Sequence, residues 1–292
     1  MDKNSGTNPK FNSLPLKSEL ILNRDGSVYH LHLHPEQLAP LVITVGDPGR
    51  VDLVGRYLDD QEFSSQYREF KTITGRLGSQ RLTIISTGIG TDNVDIVLHE
   101  LQLLHAYDLD LRVPKKTAAP LRIIRLGTSG ALQADVPLDS LWMSDEALGW
   151  DGLLAFYQHD FPGIHLVEGL PKAYRVPGNA AMRNHFAEVV DGRGLTLTTA
   201  GFYAPQGRDL LVRPRRKDWL KQVSQWRDKA DRITNMEMET AGIYGLGQLM
   251  GMPTLSISAI LANRIQGSFS DRPEHTIERM ITKTLERISA LH

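Results

Sequence analysis

The chain has 292 residues, of which 41% are hydrophobic and 23% are charged, and both fractions are ordinary for a globular protein. Its 33 basic and 34 acidic residues leave a formal charge of −1, so bulk charge predicts neither nucleic-acid wrapping nor attachment to a membrane surface. The absence of cysteine excludes disulfides, cysteine nucleophiles and thiolate metal sites.

The opening segment MDKNSGTNPKFNSLP is polar and lacks the apolar core of a signal peptide. No stretch approaches the roughly 18 uninterrupted apolar residues that a membrane-spanning helix needs. We therefore expect a soluble, cytoplasmic protein with no membrane or nucleic-acid partner. Residues 1–20, rich in Pro, Asn, Ser and Lys, are expected to form a flexible arm.

Four short apolar runs follow, at residues 41–46, 81–90, 121–130 and 253–264. Runs of β-branched and aliphatic residues next to glycine are typical of strands that are buried on both faces. Helical spacing of apolar positions alternates with these runs, at residues 94–104 and 238–250, and a last helix with a core-facing stripe is predicted at 275–291. The pattern predicts an α/β fold with a mostly parallel sheet, whose ligands lie beyond the carboxyl ends of the strands.

Two segments do not fit that alternation. Residues 108–120 form a polar, proline-bounded insertion that is predicted to be an exposed loop. Residues 211–229 open with a run of arginine and lysine, which is predicted to be a solvated face.

The first motif, GDPGR, follows the first predicted strand. Gly46 would let backbone N–H groups approach an anion, and the guanidinium of Arg50 could bind phosphate oxygens. Asp-Pro-Gly is equally good β-turn chemistry, so a plain turn remains open at this point.

The second motif, RLGTSG, places Arg125 inside a predicted strand, where a buried guanidinium needs an acidic partner or an anionic ligand. Thr128 adds a hydroxyl, while Gly127 and Gly130 keep the backbone open. Neither GxxxxGK[ST] nor GxGxxG is present, so nucleoside triphosphate and NAD sites lose support.

A third motif, NMEMETAG, places Glu237 and Glu239 at a predicted helix start, with Met238 between them. Such carboxylates suit the helix dipole, or they can accept hydrogen bonds from a diol such as ribose, with the methionine against the sugar. Arg68 of YREF lies in a strand-like segment, and by itself it predicts no functional site. His30, His32 and His34 alternate as on one face of an extended segment, without metal-site spacing.

Five motifs, taken in their order along the chain, resemble those of the nucleoside phosphorylase-I family, and the resemblance runs from about residue 30 to residue 264. The motifs are GDPGR, YREF, STGIG, RLGTSG and NMEMETAG. The resemblance implies a single domain over residues 21–292, with a mixed, mostly parallel central sheet flanked by helices. It implies that inorganic phosphate is a co-substrate, that no cofactor is needed, and that four residues of one chain line the phosphate site, namely Gly46, Arg50, Arg125 and Thr128.

By the same resemblance, Arg68 of a neighbouring subunit would contact the phosphate, and His30 of that subunit would contact the ribose 5′-hydroxyl. Met238, Glu239 and Thr128 would hold the ribose. Shared sites imply a homo-oligomer with a dimer as its minimal unit, and a trimer of dimers is expected.

The segment AGFYAPQGRDL resembles the base-recognition segment of the family's uridine-specific members. Phe202 would pack on uracil, and Gln206 and Arg208 would bond its edge, since a glutamine amide both donates and accepts. The uracil site implied by the resemblance also includes Gly130 and Glu237, and Arg208, Gln206 and Arg125 would carry catalysis.

Purine-specific members and nucleosidases of the family generally place an aspartate near the end of the last long strand, and residues 256–264, SISAILANR, contain no carboxylate. The resemblance therefore implies phosphorolysis of uridine. A purine phosphorylase, a nucleosidase and a non-catalytic nucleoside-binding protein remain alternatives. Glu69 matches the family's monovalent-cation position, but Asn93 stands where its serine is expected, which leaves potassium binding open.

Overall fold

The computed structural model describes residues 14–116 and 119–290. The strands in this part of the chain are β1 (Leu41–Val45), β2 (Asp60–Tyr67), β3 (Phe70–Leu77), β4 (Gln80–Ser86), β5 (Tyr107–Asp108), β6 (Val113–Pro114), β7 (Arg122–Ala131), β8 (Leu141–Trp150), β9 (Gly163–Ile164), β10 (Ala173–Pro177), β11 (Gly192–Thr199), β12 (Arg227–Asp228), β13 (Asp231–Glu237), β14 (Thr254–Asn263) and β15 (Ser268–Phe269). The α-helices are α1 (Pro48–Gly55), α2 (Thr91–Ala106), α3 (Ala180–His185), α4 (Trp219–Gln225), α5 (Thr240–Met250) and α6 (Pro273–Ser289).

A central sheet carries the fold, with its main path running β12-β13-β11-β8-β14-β7-β1-β4-β3-β2. The pairs β1–β4, β1–β7, β7–β14, β8–β11 and β11–β13 are parallel, whereas β8–β14 is antiparallel. The predicted α/β class, with a mixed and mostly parallel sheet flanked by helices, is therefore confirmed. The four apolar runs correspond to β1, β4, β7 and β14, and the three predicted helices to α2, α5 and α6.

Both faces of the central strands are buried, as the apolar runs predict. Val42 and Ile123 pack into the hydrophobic cluster on the side of α2 and α5, whereas Ile43 and Ile124 pack into the cluster on the side of α1 and α6. Successive side chains of a strand point to opposite faces, so one strand serves both clusters. Helices on both faces leave the carboxyl ends of the strands as the open edge of the sheet.

Several local predictions are wrong. Arg68 lies in the tight turn between β2 and β3, with φ of 55°, because a two-residue hairpin loop needs left-handed backbone. Residues 29–31 form a turn and His32 has φ of 52°, so the three histidines do not share an extended face. Glu237 ends strand β13 rather than starting a helix, and α5 begins at Thr240.

The predicted N-terminal arm and the insertion are described only in part. Residues 1–13 of the predicted arm, and residues 117–118 of the insertion, lie outside the described residues, while residues 16–20 form a turn. The insertion contains the short β5–β6 hairpin rather than loop alone. Within residues 14–116 and 119–290, no helix combines the length and apolarity that a membrane crossing would require.

Candidate active site

A cavity of about 870 Å³ opens at the carboxyl edge of the sheet. Twelve of the residues selected from the sequence line it, and they are Gly46, Arg50, Glu69, Arg125, Thr128, Gly130, Phe202, Gln206, Arg208, Glu237, Met238 and Glu239. The parallel register explains the convergence, because β1, β7 and β14 run side by side and end at one edge. His30 and Arg68 do not line this cavity; His30 lies at another one, with its ring 2.7 Å from Glu100.

The cationic end of the cavity is built by Arg50 and Arg125. Arg50 stands in the first turn of α1, which begins where Asp47 caps the Gly49 N–H at 3.0 Å, and its guanidinium donates to the Leu126 carbonyl at 3.4 Å. Burial, and then the nearby charge of Arg125, lower the pKa of Arg50. Two guanidinium groups that repel each other in a cavity favour the binding of an anion between them.

Arg125 is held by two carboxylates. Its Nη2 lies 2.5 Å from Glu239 Oε2 and 3.0 Å from Glu237 Oε2, and the side chains of all three residues are less than 10% exposed. Burial alone would lower the pKa of Arg125, but the two glutamates outweigh it and raise that pKa. The acidic partner that a buried arginine requires is therefore present.

The guanidinium of Arg125 also folds closely over Gly127. A Cβ at Gly127 would stand 1.9 Å from Arg125 Nη1, a distance that no side chain tolerates. The glycine of RLGTSG thus serves Arg125 directly, by leaving room for its head group against the backbone of the same strand.

The two glutamates differ in the number of hydrogen bonds that they accept. Glu237 accepts hydrogen bonds from the backbone N–H groups of Glu239 and Thr240, both at 2.9 Å, and from the Thr198 hydroxyl at 2.6 Å. Glu239 accepts from the Gly90 N–H at 2.9 Å, and burial raises its pKa. Glu237 is consequently a fixed structural acceptor, whereas Glu239 keeps lone pairs for a hydroxyl-bearing ligand.

Phe202, Gln206 and Arg208 of the segment AGFYAPQGRDL line another part of the cavity. The Arg208 guanidinium carbon lies 3.5 Å from the centroid of the Phe202 ring, and Nη1 donates to Gln206 Oε1 at 2.9 Å and to the Phe202 carbonyl. Burial, and then Arg264, lower the pKa of Arg208 to about 10. An aromatic ring, an amide and a guanidinium are thus brought together as the sequence predicts.

Arg264 is a cavity residue that our sequence analysis missed. It follows β14, its Nη1 donates to the Gln206 carbonyl at 3.0 Å, and burial lowers its pKa. The available signal was its position directly after a buried strand, like that of GDPGR after β1. From the end of β14 only Leu261, Ala262 and Arg264 line the cavity. The side chain of Asn263 instead bonds the Gln133 and Val136 carbonyls, at 3.0 and 3.1 Å.

The residues expected at a cation position lie side by side. Glu69 and Asn93 both line the cavity and both crowd Gly88, where φ is 72° and an added Cβ would stand 2.4 Å from Asn93 Nδ2. An amide nitrogen and oxygen here replace the hydroxyl of a serine, so the donor set differs from that implied by the resemblance.

Comparison with known proteins agrees with this geometry. The family described as the phosphorylase superfamily matches residues 40–291. A uridine phosphorylase of Thermococcus kodakarensis is 27% identical over 251 residues, which cover 86% of this chain and 82% of that protein. A DeoD-type purine nucleoside phosphorylase of Streptococcus suis is 26% identical over 269 residues, covering 89% and 98%.

Among solved structures, a Trypanosoma brucei nucleoside phosphorylase, described as showing uridine phosphorylase activity, superposes with a TM-score of 0.83 at 25% identity. The match covers 95% of this chain and 100% of that one. The family match spans most of the chain, and its relatives act on both pyrimidine and purine nucleosides by name. The chain therefore belongs to the phosphorylase superfamily, among the nucleoside phosphorylases.

Proposed function

We propose that this protein is a uridine phosphorylase, a pentosyltransferase that reversibly converts uridine and inorganic phosphate to uracil and ribose 1-phosphate in cytoplasmic pyrimidine salvage. The observation that carries this proposal is the base end of the cavity, where the guanidinium of Arg208 lies over the ring of Phe202 and donates to the amide of Gln206. A uracil edge offers one N–H and two carbonyl oxygens, which an amide and a guanidinium can satisfy together.

Phosphate would bind at the cationic end, between Arg50 and Arg125, with Gly46 and Thr128 supplying neutral donors. The ribose would lie on Met238, with its vicinal hydroxyls donating to Glu239. Holding phosphate beneath C1′ turns a bimolecular attack into a nearly unimolecular one. No covalent enzyme intermediate and no cofactor is required, because phosphate itself is the nucleophile.

As the glycosidic bond stretches, positive charge grows on the ribose and negative charge on the departing uracil. Arg208 would stabilise the uracil anion, and Arg264, which donates to the Gln206 carbonyl, would add a second cation. The phosphate dianion stabilises the oxocarbenium-like ribose from the other side. Groups aimed at developing charge lower the barrier more than groups that bind the ground state.

The base end also supports a pyrimidine over a purine. A purine leaves most readily when its N7 is protonated, which calls for a carboxylic acid beside the base. Among the described residues of β14 and its exit that line the cavity, Leu261, Ala262 and Arg264, none is acidic. The purine-specific name of the Streptococcus suis relative keeps purine phosphorolysis as the alternative to test, alongside nucleoside hydrolysis and binding without turnover.

The proposed site uses two chains. His30 and Arg68 lie away from their own chain's cavity, which supports their donation to a neighbour's site in a dimer and, by the resemblance, in a trimer of such dimers. A cation at Glu69 would be part of the same shared region.

The experiment is a nucleoside panel assayed with and without inorganic phosphate, followed by absorbance at the nucleoside band. We expect uridine to be consumed only when phosphate is present, with little turnover of inosine or adenosine. Turnover without phosphate would identify a hydrolase, preference for inosine would identify a purine enzyme, and no turnover with any nucleoside would favour a binding protein.

The variant Arg208→Ala tests the assignment of the base end. Loss of one donor to a developing anion costs roughly 100-fold or more in kcat. Lys217→Ala, an exposed basic residue of the following segment, serves as the charge-matched control and is expected to leave turnover unchanged. Wild-type kcat/KM in Arg208→Ala would overturn the assignment.

A further inference from the structure

A second cavity, of about 700 Å³, lies behind the base-recognition segment. Its lining combines aromatic rings, three basic side chains and one carboxylate, and the residues used below are Trp150, Asp151, His159, Phe161, Lys172, Tyr174, Arg215, Arg216 and Trp219. The active site described above shares none of them.

Two pairs of aromatic rings line the cavity. The rings of Trp150 and Trp219 meet edge to face with centroids 5.6 Å apart, and those of His159 and Phe161 stack at 5.0 Å. The Trp150 indole is fixed by donating to the Pro171 carbonyl at 2.8 Å. Rigid ring walls around a cavity favour a planar ligand that can stack on them.

The charges of the lining favour an anion. Lys172, Arg215 and Arg216 are exposed at the mouth, and none takes part in the ion pairs found in residues 14–116 and 119–290. Arg216 donates to the Glu168 carbonyl at 3.0 Å, which orients its guanidinium. Guanidinium and ammonium groups gathered this way suit phosphate oxygens.

The one carboxylate of the lining faces the rings. Asp151 Oδ1 accepts from the Leu153 N–H and Oδ2 from the Tyr174 hydroxyl, both at 2.8 Å. Burial raises the pKa of Asp151. A fixed carboxyl group beside aromatic walls is a natural acceptor for the N–H edge of a heteroaromatic base.

We propose that this second cavity is a binding site for a nucleoside 5′-monophosphate. The base would stack between the aromatic walls with an N–H directed to Asp151, and the phosphate would lie among Lys172, Arg215 and Arg216. A simple aromatic carboxylate would satisfy the walls and the cations but would offer no N–H to Asp151.

Binding of a ligand in the second cavity would affect the active site through a shared turn. Ala204 and Pro205 line the second cavity, and the next residue of the same short turn, Gln206, lines the first. A ligand that presses on this turn changes the position of the base-binding amide. We expect bound nucleotide to change KM for the nucleoside at least threefold, a consequence that rests on the proposed function, whereas binding itself does not.

The binding test is a titration of the full-length protein with AMP and with UMP, followed by calorimetry and by tryptophan fluorescence. Trp150 and Trp219 line the cavity whereas Trp142 and Trp226 do not, so binding is expected to change the emission. Adenosine and ribose 5-phosphate, as the two halves of AMP, should bind at least tenfold more weakly than AMP itself. Equal affinity of ribose 5-phosphate and the nucleotides would overturn the aromatic part of the proposal.

The variants use exposed residues, so folding is unaffected. Lys172→Ala with Arg215→Ala is expected to weaken nucleotide binding at least tenfold, and the charge-matched pair Arg213→Ala with Lys217→Ala, outside the lining, less than twofold. Equal effects of the two pairs, no nucleotide binding, or displacement of nucleotide by saturating uracil would overturn the proposal. If uridine turnover itself fails, the variant comparison still decides the binding site.

Discussion

Replacement of Arg125 by methionine removes the one cation that faces two buried glutamates. Glu237 keeps its three hydrogen bonds from Thr198 and the start of α5. Glu239 keeps only the Gly90 N–H, so the uncompensated charge falls mainly on Glu239. Methionine fills a similar volume, which limits the contribution of a cavity to the result.

Breaking a buried ion pair by removing one partner costs about 3–5 kcal/mol, because the other charge stays buried. At roughly 2–4 °C per kcal/mol for a domain of this class, the midpoint of thermal unfolding should fall by on the order of 10 °C. Adding Glu239→Gln to Arg125→Met removes the stranded charge, and we expect it to restore at least half of the loss. Neither variant should regain phosphorolysis, because the proposed phosphate ligand is absent from both.

The pH dependence has a definite sign. Burial raises the pKa of Glu239 above its unfolded value of about 4.3, so its contribution to stability is greatest below that value and is lost as the pH rises. Arg125 lowers the pKa of Glu239, so the substitution raises that pKa further above its unfolded value. The deficit of Arg125→Met against the wild type should therefore be larger at pH 8 than at pH 5. The assay is thermal and urea unfolding, followed by tryptophan fluorescence. A variant as stable as the wild type, or a double variant no better than Arg125→Met, would refute the reasoning.

Three further predictions concern the same cavity. Gly127→Ala should displace the Arg125 guanidinium, because the new Cβ would stand 1.9 Å from it, and should therefore raise the KM for phosphate at least tenfold. The control is Gly152→Ala, where a Cβ meets nothing within 4 Å and only the positive φ causes strain, so this variant should alter stability only. The ratio of kcat/KM between wild type and Arg208→Ala should stay constant from pH 7 to pH 9, because a guanidinium keeps its charge across this range; a ratio that falls steeply within it would show that a group other than Arg208 supplies the cation. Mixing inactive Arg68→Ala and Arg208→Ala chains after joint refolding should regain part of the activity if sites are shared, and mixtures no more active than either parent would argue against sharing.

The sequence pattern predicts the strands that bury apolar side chains, and it misses the strands that bury polar side chains. Strand β11 reads GRGLTLTT, but its threonines are fully buried because their hydroxyls are paired. Thr196 bonds Ser144 at 2.6 Å and Asn235 at 3.1 Å, and Thr198 bonds Glu237 at 2.6 Å. These partners come from β8 and β13, which were missed for the same reason. Polar burial of this kind depends on cross-strand pairing that no local pattern reports.

The candidate site was more predictable than the sheet that carries it. Glycine and arginine at the ends of apolar strands predict where a cleft forms, because parallel strands end at one edge. Arg50 follows from that rule, and Arg264 would have followed from it as well, whereas Arg125 lies inside β7 and was selected because a buried guanidinium needs a partner. His30 and Arg68 cannot be placed by the same rule, since their proposed positions depend on a second chain.

The charge distribution of the cavity links the proposed chemistry to two pairs of cations. Arg50 and Arg125 form one pair of neighbouring cations, with Glu239 bonded to Arg125, and Arg208 and Arg264 form a second pair in the same cavity. Two such pairs suit a reaction that begins with a phosphate anion on one side of a sugar and ends with a base anion on the other. A purine leaving as a neutral molecule would gain little from the second pair. Removing the charge of Arg208 should therefore cost uridine turnover far more than it costs phosphate affinity, and this separation is the sharpest kinetic signature of the arrangement.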